Sequence, residues 1–137
     1  MGTTYRVVAS NEGTINGPGT CGNFSNAGLF TAYPYMQGNF GNSGINLTPC
    51  ISIPIKNCGD SITVTSIKGG CKNGPCCQIS GATIIVKIAD NGLPQGCPGI
   101  TPTCSKETKP VVLDLSIAAF EQLAPLSLGK ILVDMIA

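Results

Sequence analysis

Eight cysteines stand at Cys21, Cys50, Cys58, Cys71, Cys76, Cys77, Cys97 and Cys104 in a chain of 137 residues. An even set in a short, loop-rich chain reads as a disulfide framework, the device by which small secreted domains limit the entropy of their unfolded state. A four-cysteine zinc site is the competing reading, but the paired CxxC spacing of such sites is missing, although "CKNGPCC" is dense. Adjacent Cys76 and Cys77 are expected to reach different partners. The spacing does not choose among the possible pairings.

A secreted, cross-linked chain can carry long irregular segments, and the first half does. "NEGTINGPGTCGNFSNAG" and "YPYMQGNFGNSGINLTPC" are built from Gly, Asn, Ser and Pro, which favour turns over helix because Gly and Asn tolerate positive φ and Pro lacks a donor. Two sequons, at Asn23 and Asn46, are candidate N-glycosylation sites. The opening "MGTTYRVVAS" lacks the charged start and apolar stretch of a signal peptide, so the chain reads as a mature secreted form. No apolar run reaches the roughly 20 residues that span a bilayer as helix. The length fits one domain, residues 1–137.

Charge excludes several functions. Eight Lys and Arg against seven Asp and Glu leave +1, with no basic run to track a phosphate backbone, so no nucleic-acid partner is expected. There is no histidine, which removes Ser-His-Asp and Cys-His catalysis and histidine-ligated metals. No metal and no cofactor is implied. Low charge with mean hydropathy of +0.26 leaves little to oppose self-association.

From residue 51 the pattern changes. "ISIPIKN" (51–57) and "DSITVTSIKG" (60–69) alternate apolar and polar residues and predict half-buried strands. "ATIIVKIAD" (82–90) is a β-branched run that predicts a central strand covered on both faces. "LDLSIAAFEQLAP" predicts a short helix, capped by Ser116 and closed by Pro125, with Ile117, Phe120, Leu123 and Ala124 at helical spacing. "GKILVDMIA" (129–137) predicts a final strand.

These residues carry a resemblance. "VKIAD", a cysteine-bearing loop and "LDLSIAAFEQLAPLSLGKILV", within residues 82–134, together with "EGTINGPGTCG" near the start, resemble the expansin and barwin-like proteins. The resemblance implies an all-β fold, a six-stranded double-psi β-barrel with one short helix, disulfide-rich. It also implies a polar groove that holds polysaccharide, whose floor falls by position on Thr14, Asp90 and Asp114, with Asn16 beside them. Tyr33 and Tyr35 are candidate stacking faces for sugar rings. Asp114 has a second reading, as an acid at the positive end of the helix.

The departures matter too. Hydrolysis of a glycosidic bond needs two carboxylates in different roles, and the first strand offers only Thr14 and Asn16 where hydrolytic relatives place an acid. The expectation is a secreted, non-catalytic protein that binds or loosens cell-wall polysaccharide: cellulose, chitin or peptidoglycan. The alternatives are a barwin- or kiwellin-like defence, effector or inhibitor protein acting on a protein partner through its loops, and an extracellular structural protein that self-assembles.

Overall fold

A computed structural model describes residues 3–11, 17–19, 21–24, 28–33, 36, 53–67, 79–91 and 112–137. Six of its strands close into one ring. β1 (Thr4–Asn11), β4 (Phe30–Tyr33), β5 (Ser61–Ser66), β6 (Thr83–Asn91), β7 (Val112–Leu115) and β8 (Lys130–Ile136) are joined in the order β1-β7-β4-β6-β5-β8, with β8 back against β1. The β1–β7 and β4–β6 pairs are parallel; the other four are antiparallel. Between β1 and β4 a small ribbon, β2 (Gly17–Gly19) with β3 (Gly22–Phe24), forms its own two-stranded sheet.

Period two does most of the work. Ile62 and Val64 on β5, Ile84, Val86 and Ile88 on β6, Leu113 and Leu115 on β7, and Ile131, Val133 and Met135 on β8 point into one apolar core. Their neighbours in sequence face outward, so a residue's parity decides whether it sees water. Arg6 and Asp134 are paired outside, at 3.1 Å, and the Thr65 and Thr83 hydroxyls lie 2.8 Å apart in the same cross-strand row.

The helix α1 (Ile117–Leu123) starts where the sequence predicts. Ser116 accepts a hydrogen bond from the Ala119 amide at 3.4 Å as N-cap, and Ala119, Phe120 and Leu123 are buried. After Pro125 a 3₁₀ turn, Leu126–Leu128, leads through Gly129 at φ +72°, a backbone setting that favours glycine, into β8.

Two expectations are corrected. Residues 53–57 form no strand; their one β-bridge joins Lys56 to Met36. Burial does not alternate here either, since Ile53 is buried and Ile55, two residues on, is exposed, and Pro54 has no amide to give a ladder. β6 is covered on one face, with Ile85 61% exposed, because the outside of a closed ring needs no second layer there.

Ser66 continues the inward face of β5 and is buried, and its Oγ has no hydrogen-bond partner among the described residues. A hydroxyl left unsatisfied in an apolar core costs about 1–3 kcal/mol. Ser66→Ala is therefore expected to raise the stability of the oxidised protein by about 1 kcal/mol, read as a later denaturation midpoint. An earlier midpoint would show that the hydroxyl is satisfied.

Candidate functional site

Counting outward-facing positions across the ring brings the two singled-out aspartates together. Asp114 on β7 is in register with Ala32 on β4, and Ala32 is in register with Asp90 on β6. Directly opposed residues share a face, so Asp114, Ala32 and Asp90 form one outer row over three adjacent strands, with the small Ala32 between the acids. Two strand spacings put the aspartate backbones about 10 Å apart.

Strict alternation would not give this row. Ile84, Val86 and Ile88 point inward, so Asp90 would continue their inward series into the core. The β4–β6 register shifts instead: Thr31 faces Ile88 and Ala32 faces Asp90, leaving Ala89 as an extra residue. That is a β-bulge, which re-aims the side chains beyond it. It turns Asp90 to the outer face, where it is half-buried.

On the other side the row continues to β1. Ser10 is in register with Asp114, and its hydroxyl donates to Asp114 Oδ1. Ser10 is itself in register with Lys130 at the start of β8, so a cation closes that end. Beneath the row, Thr31 is buried facing the core and its Oγ1 donates to the Asp114 backbone carbonyl at 3.3 Å. Asp114 is thus held through both its side chain and its main chain. Sequence reasoning missed Ser10 and Lys130; parity within β1 and β8 carries no mark of which strand each will meet.

The helix-start reading of Asp114 is not what the geometry shows. Asp114 is a β7 residue, the first turn of α1 carries no acid, and the capping work is done by Ser116. Ser116, 1% exposed, also accepts from the Phe30 amide at 3.1 Å and donates to the Gly28 carbonyl at 2.6 Å, so it pins the entry of β4 to the end of β7. A Cβ at Gly28 would run into the Phe30 ring, which would have to swing aside.

Tyr33 is corrected. It is fully buried, and its hydroxyl donates to the Pro54 carbonyl at 2.7 Å, so it offers no face to a sugar ring. Burial, with Tyr5 beside it, pushes its phenol well above the ordinary tyrosine range and keeps the proton on the donor. Thr14, Asn16, Tyr35, Asn46, Cys50, Cys71, Cys76, Cys77, Cys97 and Cys104 lie outside the described residues, as does the side chain of Asn23. Cys21 and Cys58 form a disulfide across 37 residues, with 5.2 Å between their α-carbons. Among the described residues no three His, Cys, Asp or Glu side chains gather as a metal site would require, and no helix is long and apolar enough to cross a membrane.

No protein-family model matches the chain, and no curated protein matches it in sequence. Solved structures do match. A papain inhibitor from Streptomyces superposes with a TM-score of 0.57 at 21% identity, over 99% of this chain and 94% of that one. The fold is a double-psi β-barrel. An expansin from Clavibacter michiganensis in its apo form gives a TM-score of 0.49 at 18% identity, over 98% of this chain and 50% of the expansin. A point mutant of that expansin, solved in complex with cellohexaose, gives 0.48 at 18% identity with the same coverage. The chain spans half the length of those expansin chains. At these identities the likeness speaks for the fold.

Ser116→Ala is expected to cost about 2–3 kcal/mol, since it leaves the Phe30 amide and the Gly28 carbonyl without their partner and removes the cap. Chemical denaturation of the oxidised protein reads this directly. A loss below about 0.5 kcal/mol, the low end for a cap alone, would mean that the link between β4 and α1 is not carried by this hydroxyl.

Proposed function

We propose that this is a secreted, non-hydrolytic protein that binds cell-wall polysaccharide across the Asp114–Ala32–Asp90 row. The observation that carries the reading is the bulge at Ala89, which places a second carboxylate beside the first on an outer face instead of in the core. Carboxylates accept hydrogen bonds from sugar hydroxyls, and charge-assisted bonds of this kind are about twice as strong as neutral ones. Ala32 lets a ring lie close to the sheet between them. Ser10 fixes Asp114 as an acceptor with a set direction.

Binding without cleavage is in keeping with the groups the row supplies. Hydrolysis asks one carboxyl to give a proton while its partner attacks or activates water. Asp114 already accepts from Ser10, and the chain has no histidine to take over either role.

A second reading is supported by the likeness to the Streptomyces papain inhibitor, which matches over 99% of this chain and 94% of its own. On that reading the protein blocks a cysteine protease of the papain type through its loops.

The test is retention of the oxidised protein on insoluble cellulose, chitin and peptidoglycan, beside Asp90→Asn and Asp114→Asn. Each substitution is expected to weaken binding about tenfold, the equivalent of one charge-assisted hydrogen bond of about 1.5 kcal/mol. No reducing ends are expected from any glycan. If the parent is retained by none of the three, the polysaccharide reading fails, and inhibition of papain becomes the assay that decides for the second.

A further inference from the structure

The residue that creates the row, Ala89, has no partner across β4, yet its carbonyl is not idle. It accepts from the Cys21 amide at 3.1 Å. The preceding residue is held as firmly: the Ile88 carbonyl accepts from the Gly59 amide at 3.0 Å, and the Ile88 amide donates to the Asp60 carbonyl at 2.9 Å. Consecutive carbonyls at the bulge are therefore taken by Cys21 and by the neighbour of Cys58, and those two cysteines are bonded to each other.

The segment around Cys58 is itself a built turn. The Asn57 amide donates to Asp60 Oδ2 at 2.8 Å, the Asp60 amide donates to the Asn57 carbonyl at 3.1 Å, and Gly59 sits at φ +83°. This turn brings Gly59 and Asp60 against β6 just beyond the Ser61–Lys87 pair, where the β5 ladder stops. The β2–β3 ribbon brings Cys21 from a different part of the chain.

We infer that the Cys21–Cys58 disulfide positions Asp90: it clamps together the two segments that hold the bulge at Ala89, and the bulge aims the carboxylate. The inference deepens the polysaccharide reading and rests on Asp90 being one of its binding groups. A disulfide that only closed a 37-residue loop would stabilise the fold by removing entropy from the unfolded chain and would add nothing to the site. A clamp changes the folded protein.

The two are separated with the full chain carrying Cys21→Ser and Cys58→Ser together, which keeps size and leaves no new free thiol. Magnetic resonance of the folded variant is read first, because it needs no ligand. The Cys21→Ser and Gly59 amides are expected to exchange at least tenfold faster, and the Asp90 and Ala89 signals to shift or broaden. Ser10, Asp114 and Ser116 signals should stay in place. Affinity is read second, on the glycan that retains the parent, well below the melting temperature. The serine pair is expected to lose about as much as Asp90→Asn, with no further loss when the two are combined, while Asp114→Asn adds its full effect.

Unchanged Asp90 signals in a variant whose melting temperature has dropped would make the disulfide a staple and overturn the inference. So would full additivity with Asp90→Asn. Should the serine pair fail to fold, Asp60→Ala loosens the same turn with the disulfide intact. It is expected to move the Asp90 signals in part, and no movement would overturn the inference equally. A parent that binds no glycan sinks the polysaccharide reading and leaves the resonance measurement standing.

Discussion

Ala89 faces no residue of β4, and the chemistry of the outer surface depends on that skip. Before it, β6 alternates Ile84, Val86 and Ile88 into the core; after it, the parity is reversed. With the ladder continued, Asp90 would enter an apolar interior beside Tyr33, where an ionised carboxylate without a partner is costly enough to be avoided. With the bulge, the same carboxylate lies across Ala32 from Asp114. One inserted residue converts a liability into half of a polar row.

The other half is assembled by hydroxyls. Ser10 holds the Asp114 side chain, Thr31 holds its backbone, and Ser116, two residues on, ties β7 and α1 to the entry of β4. Ser10, Thr31 and Ser116 are almost entirely buried, and each is satisfied. They bring no charge into the barrel, so rigidity is gained without the desolvation penalty that ion pairs carry. Asp114 is thereby fixed by the body of the barrel, and Asp90 by a ribbon and a turn bonded to its rim.

β6 and the stretch from Ser116 onward are legible because each local signal agrees with the fold. β6, Ser116 as cap, α1, Pro125 as stop and β8 all stand where periodicity and capping put them. The run at 51–57 misleads because its sequence alternates while its burial does not: Ile53 is inside and Ile55 outside, Pro54 lacks an amide for a ladder, and its carbonyl serves Tyr33. β1 gives no strand signal, since Val7, Val8, Ala9 and Ser10 are all buried and show no alternation. Tyr33 reads as a surface ring because its Gly- and Pro-rich setting hides that β4 turns it inward. Within the site, the two aspartates and their common groove emerge through the resemblance, but the register that joins them across Ala32 does not. Nothing in "KIADN" marks the bulge, and spacing cannot say that Cys21 meets Cys58.

The order in which the ring closes sets a condition on how the chain can fold. β1 is the first strand, yet both its neighbours, β7 and β8, lie beyond residue 111. Its two hydrogen-bonding edges stay unpaired until the residues beyond 111 have been made, so on a ribosome the barrel cannot begin to close at β1. Pairings this distant in sequence belong to slow folding, and an apolar strand with both edges open is a template for pairing with another molecule. Until β7 and β8 arrive, "TYRVVASN" is a segment that a chaperone would have to shield.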